Sequence, residues 1–100
     1  MDASAHDPRS AAQELDISWS DFGPFHKRLR MRRGLSQERL AERLGCDRTY
    51  IWRLEHSRNH PSRIFLHDLE QTIVLTAQEA AALARFMSLR AYSTDEALGQ

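Results

Sequence analysis

The strongest constraint on this chain is a spacing. Two short amphipathic patterns, one running from Ser36 to Leu44 and one from Asp47 to the stretch His56 to Arg58, are separated by only Gly45-Cys46-Asp47. Three residues permit a reversal but no excursion, so two helices joined this way must cross at close range. That crossing has residue demands. Ala41 must be small where the second pattern passes over it, Gly45 must accept a positive φ, and Leu40, Leu44, Cys46, Ile51 and Leu54 must fill the wedge between the helices. Each position is suitably occupied, and Ser36 and Asp47 are the side-chain oxygens a helix start requires.

The flanking patterns are also helical. A first helix is predicted from Phe22 to Arg33, capped by Asp21, tolerating Pro24 in its first turn and ended by Gly34. Its face Phe22, His26, Leu29 and Arg33 has two polar members, which is unusual for a core face, and Phe25 supplies apolar area beside Leu29. Ser62 is placed to cap a fourth helix with Leu66, Leu69 and Ile73 on one side. Thr76-Ala-Gln-Glu79 then reads as a capping box opening a fifth, with Ala80, Leu83, Ala84, Met87 and Ala91 on its inward stripe and Phe86 adjoining. No strand pattern emerges, so the expected class is all-α with five helices. Residues 21–92 are expected to form the domain, residues 1–20 a flexible N-terminal tail and residues 93–100 a frayed end. Within the tail Ile17 and Trp19 stand out, either packing back onto the domain or docking a partner.

A chain of 100 residues buries one modest core and leaves no room for a large two-domain enzyme. Its longest apolar run, Ala80 to Ala84, is far below the ~20 residues that span a bilayer. The opening Met1-Asp2 lacks a basic-then-apolar leader pattern, and a cytoplasmic location with no membrane partner is expected. A single cysteine, Cys46, forms no internal disulfide and supplies one thiolate ligand at most.

Charge adds direction. The totals are 14 basic and 14 acidic residues, formally neutral, yet residues 22–63 hold Lys27 and ten arginines against Glu38, Glu42, Asp47 and Glu55, a balance of +7. The two flanks carry −4 and −3. A solvated helix surface laced with i,i+4 pairs absorbs some of this excess, but the acids of the middle segment are too few to neutralise it, which points to a polyanionic partner.

The run from Leu29 to Glu55, Leu-Arg-Met-Arg-Arg-Gly-Leu-Ser-Gln-Glu-Arg-Leu-Ala-Glu-Arg-Leu-Gly-Cys-Asp-Arg-Thr-Tyr-Ile-Trp-Arg-Leu-Glu, resembles the lambda repressor and Cro type helix-turn-helix, the XRE family. The resemblance extends over about 55 residues, and joint matching of Gly-Leu-Ser-Gln, Leu-Ala, Gly and Ile-x-x-Leu-Glu is more specific than any one of them. It implies a five-helix lambda-repressor-like domain whose third helix enters the major groove of double-stranded DNA. The groove-facing positions fall on Arg48, Thr49, Trp52 and Arg53. Either arginine can fork onto guanine O6 and N7, and Thr49 and Trp52 can meet a thymine methyl. Trp52 could instead anchor a protein partner. Candidate phosphate contacts are Ser36 and Gln37 at the second helix start, and His56, Arg58, Asn59, His60 and Arg63 after the third helix. Arg30 and Glu55 match a structural ion pair between the first and third helices, with one guanidinium edge of Arg30 left for phosphate. Three positions depart from the pattern. His26 and Arg33 stand where relatives are apolar or small, and Val74 replaces a frequent helix-ending glycine, so the fourth helix is expected to run on or bend differently.

The implied function is transcriptional regulation by a homodimer, most simply repression, with no cofactor and no enzymatic activity. The alternative is an antitoxin-like or adaptor subunit that pairs with a protein through Trp19 or the last helix. His56, His60 and His67 are too few and too scattered for a metal site, and neither a phosphate-binding glycine loop nor a paired-carboxylate motif is present. Leu83, Phe86 and Met87 read as core, with a dimer contact as the other possibility.

Overall fold

A computed structural model describes residues 17–92. Among these residues all regular structure is helical. A 3-10 turn at Trp19–Asp21 leads into α1 (Phe22–Met31), followed by α2 (Gln37–Leu44), α3 (Arg48–Glu55), α4 (Arg63–Thr72) and α5 (Ala77–Tyr92). The expected all-α, five-helix architecture is what the described residues adopt.

The core is drawn from all five helices. Phe22, Phe25 and Leu29 of α1 meet Leu40 and Ala41 of α2, Ile51 and Leu54 of α3, Phe65, Leu66 and Leu69 of α4, and Leu83 and Phe86 of α5. α3 packs against both α2 and α1, and α5 closes over α4. At the α2–α3 junction Gly45 has φ +70°, the left-handed conformation that an L side chain resists. There the Gly45 N–H donates to the Glu42 carbonyl, and the Cys46 N–H reaches back to Ala41 at 3.0 Å, closing the α2 carbonyls. α3 ends the same way without a glycine. Ser57 takes φ +57°, and the Arg58 N–H donates to the Arg53 carbonyl at 2.8 Å.

Several local expectations shift. Asp21 does not cap α1; its carboxylate accepts from the Ser18 N–H at 2.8 Å and so caps the 3-10 turn one step earlier. Asp47 holds the extended backbone of an N-cap, but its side chain makes no capping bond. By contrast Ser36 Oγ accepts from the Arg39 N–H, and Ser62 Oγ from the Phe65 N–H, both at 3.0 Å. α1 stops at Met31 rather than Arg33. On α5 the inward residues are Glu79, Leu83 and Phe86, while Ala80, Ala84 and Ala91 of the predicted stripe face outward. The helix is rotated because Glu79 turns into the protein to meet two arginines.

α4 neither runs on nor needs a glycine. Ile73 leaves the helix in an extended conformation with its side chain 4% exposed, so no left-handed residue is required, and Val74 projects outward. Trp19 packs on the domain. Its ring stacks 6.0 Å from Phe86 and meets Phe22 edge-on at 6.5 Å. Packed chain therefore begins ahead of residue 21, the expected boundary, because a large aromatic ring covers the α1–α5 seam. The expected frayed end, 93–100, and the first sixteen residues lie outside the described residues.

Candidate nucleic-acid interface

The eight residues of α3 span about 12 Å and divide cleanly by face. Ile51 is fully buried and Leu54 almost so, whereas Arg48, Thr49, Trp52 and Arg53 are exposed. The spacing i, i+1, i+4, i+5 puts those four on the outward face because Ile51 and Leu54 must point into the core. All four candidate base-reading residues thus share one surface.

One buried carboxylate fixes how that surface is held. The Glu55 side chain, 2% exposed, sits at the end of α3 and receives four donors. His26 Nδ1 donates to Oε2 at 2.7 Å and Arg30 Nε to the same oxygen at 2.9 Å. Arg30 Nη2 and Gln37 Nε2 donate to Oε1 at 2.9 and 3.2 Å. Arg30 Nη1 also reaches the Leu35 carbonyl at 2.8 Å. Burial alone would raise the Glu55 pKa, but the bonds from His26, Arg30 and Gln37 outweigh it and hold the group at about 2. α1, the start of α2 and the end of α3 are therefore tied to a single anion.

This geometry bears on three expectations. The Arg30 side chain is 10% exposed and all three of its nitrogens donate within the fold, which leaves one N–H on each of Nη1 and Nη2 and makes its role structural first. Gln37 commits one N–H of its amide to Glu55 and keeps the second; in the first α2 turn the Arg39 N–H is taken by Ser36 Oγ, while those of Gln37 and Glu38 have no intrahelical acceptor. His26 fits its interior position because it bonds Glu55, with its ring against Phe22 and Phe65, although its Nε2 has no partner.

The residues after α3 do not act as one row. The Trp52 ring stacks on His56 with centroids 3.9 Å apart and planes 18° apart, and the Arg58 guanidinium lies 5.9 Å from the Trp52 centroid. His56 Nδ1 also bonds the Trp52 carbonyl at 3.0 Å. A proposed base reader and two proposed phosphate contacts are thereby joined in one ledge at the C-terminal end of α3. His60 is turned away and stacks on Trp19 at 5.4 Å. Asn59 is half-buried, and Arg63 is exposed at the first turn of α4.

A second ion cluster was missed. Arg33 and Arg32 both bond Glu79, whose side chain is 2% exposed, and Arg33 Nη2 also reaches the Val74 carbonyl at 2.7 Å. Arg33 on an apolar face and Glu79 in a capping box were each visible in the sequence; only the fold shows that they meet. Burial pushes the Cys46 thiol above its ordinary pKa, with the Asp47 charge adding to the shift, which disfavours a reactive thiolate. Among the described residues no group of three or more His, Cys, Asp or Glu side chains could hold a metal ion, and no helix is long and apolar enough to cross a membrane.

Comparison with known families places this architecture. A family model described as a helix-turn-helix domain matches residues 21–83. No curated protein and no solved structure matched the chain.

Proposed function

We propose that this chain, which belongs to the helix-turn-helix domain family, is a sequence-specific transcriptional regulator that binds double-stranded DNA as a homodimer. It reads the major groove with α3 and acts as a repressor by occluding its site. The observation that carries this reading is the exposed set Arg48, Thr49, Trp52 and Arg53 on a helix whose other face is core and whose end is locked by Glu55. A groove reader needs such rigidity, since bidentate contacts to base edges tolerate little angular error. Ser36, Gln37 and the first-turn N–H groups of α2 supply phosphate donors on one side of the groove, and Arg58, Asn59 and Arg63 supply them on the other. Pairing belongs to the same reading, because one domain of this kind contacts only a half-site.

Affinity measured against salt tests the reading. The logarithm of affinity is expected to fall with log salt at a slope of about −4 or steeper, from ~0.9 counterions released per neutralised phosphate. A flat response would leave the adaptor reading in its place. Arg53→Ala is expected to relax preference at one base pair, costing about 1–3 kcal/mol of discrimination with most of the salt slope kept, whereas Gln37→Ala should weaken all sequences alike. Unchanged selectivity in Arg53→Ala would refute the groove assignment.

A further inference from the structure

A cleft of about 470 Å³ lies where the ends of α1 and α2 meet the α4–α5 connection. Arg32, Arg33, Arg43 and Glu79 line it together with Thr72, Ile73, Val74 and Thr76. Three cations against one anion leave it with a charge of +2, and the three arginines are not equivalent. Arg33 is a fixed wall: Nη1 donates to the Leu29 carbonyl and to Glu79, and Nη2 to the Val74 carbonyl and to Glu79. Glu79 is saturated, since its Oε1 also accepts from the Thr76 N–H and its Oε2 from Arg32. Arg32 is 58% exposed and commits one nitrogen. Arg43 is exposed, and its side chain has no hydrogen bond or ion pair with any described residue.

We propose that this cleft binds a small phosphomonoester, with the phosphate held between Arg32 and Arg43 and the remainder of the molecule against Ile73 and Val74. Two guanidinium forks match a tetrahedral dianion presenting three oxygens. The Thr76 hydroxyl, whose oxygen accepts from the Glu79 N–H at 3.1 Å, keeps its proton to donate, and Thr72 adds a second hydroxyl. A monocarboxylate would leave one positive charge uncompensated. The volume falls within the range of about 300–1,000 Å³ usual for small-molecule sites. No residue of α3 lines the cleft, and Arg43 lies seven residues beyond the α2 N-cap, about 10 Å along the helix axis from the phosphate donors proposed there. A ligand there would bridge three helices and stabilise the folded state by mass action.

Titration calorimetry of the full chain with phenyl phosphate, inorganic phosphate and benzoate tests the site, at constant ionic strength and about pH 8, where a phosphomonoester is a dianion. Phenyl phosphate is expected to bind, with benzoate at least about ten-fold weaker. Arg32→Gln and Arg43→Gln should each weaken phenyl phosphate about five-fold or more. Arg53→Gln should bind it as the parent does, and unchanged melting temperatures would show that the variants remain folded. No binding, equal binding of benzoate, or loss in Arg53→Gln but not in Arg43→Gln would overturn the assignment; the last result would place the anion on the α3 face.

Discussion

Glu55→Ala is expected to lower stability by about 3–5 kcal/mol, the usual consequence of removing one partner from a buried ion pair. Arg30, 10% exposed on its side chain, would remain charged with no counterion, and His26 and Gln37 would lose their acceptor as well. A domain of this size holds only ~5–15 kcal/mol in total, so the variant should sit near the edge of unfolding at 37 °C. Thermal or urea denaturation reads the effect. Replacing both partners, Arg30→Met with Glu55→Met, should recover much of the loss, because no charge is then left buried alone. A Glu55→Ala protein melting with the parent would mean that the carboxylate does not hold α1 to α3.

The same carboxylate sets an acid limit, and Glu79 joins it. Hydrogen bonding from Arg33 leads in holding Glu79 at about 2; burial opposes it, and the Thr76 N–H and Arg32 add to it. Both folded-state values lie below the ordinary 4.5, so the unfolded chain takes up these protons first as pH falls. Their contribution is complete above about pH 4.5 and is lost as pH drops toward about 2. Each group contributes on the order of 3 kcal/mol at neutral pH. Denaturation midpoints should therefore decline steeply across that window, and Glu79→Gln should make the decline shallower. A midpoint unchanged between pH 5 and pH 2.5, to within error, would contradict both networks.

How much of this was legible in the sequence depends on the range of the interaction. The α2–α3 unit was legible because its constraints are local: Ser36 caps, Gly45 reverses, and Leu40, Ile51 and Leu54 recur with helical period. The outward set Arg48, Thr49, Trp52 and Arg53 follows once Ile51 and Leu54 are assigned inward. Contacts across long sequence separations were less visible. Arg33 and Glu79 are 46 residues apart, and nothing in the periodicity of either helix says that they meet. That hidden pair explains the rotation of α5, since a stripe chosen by hydrophobicity alone puts Ala80 and Ala84 inward and leaves Glu79 in water. The Trp52–His56 stack was hidden for another reason: i,i+4 spacing permits it, but only side-chain rotamers decide it.

Gly23→Ala should destabilise the protein even though it improves the local helix. Alanine is favoured over glycine by up to about 1 kcal/mol in a helix, and Gly23 is the second residue of α1, so propensity alone predicts at most a gain of that size. Packing predicts the opposite. A Cβ at residue 23 would lie 2.7 Å from the Glu55 carbonyl oxygen, 3.0 Å from that of Leu54 and 3.1 Å from the Glu55 carbonyl carbon. All three are backbone atoms at the end of α3, where the Leu54 carbonyl accepts from Ser57 at 3.2 Å, so no side chain can swing aside. Either α1 or α3 must move. α1 is held by Phe22, 1% exposed, and by the bonds of His26 and Arg30 to Glu55, all within two turns of the overlap. Overpacking of this kind costs about 1–3 kcal/mol, and at a backbone contact the upper part of that range applies. The net expectation is a loss of about 1–2 kcal/mol, read as a drop of roughly 5–10 °C in Tm. Lys27→Ala, one turn along on the exposed face of α1, serves as the control and should change Tm little. A higher Tm for Gly23→Ala would show that α1 is not seated directly on the α3 backbone. If the drop is found, the same contact sets the height of α3 above α1, and on the proposed reading the folded fraction of the variant should bind DNA more weakly although none of Arg48, Thr49, Trp52 and Arg53 has changed.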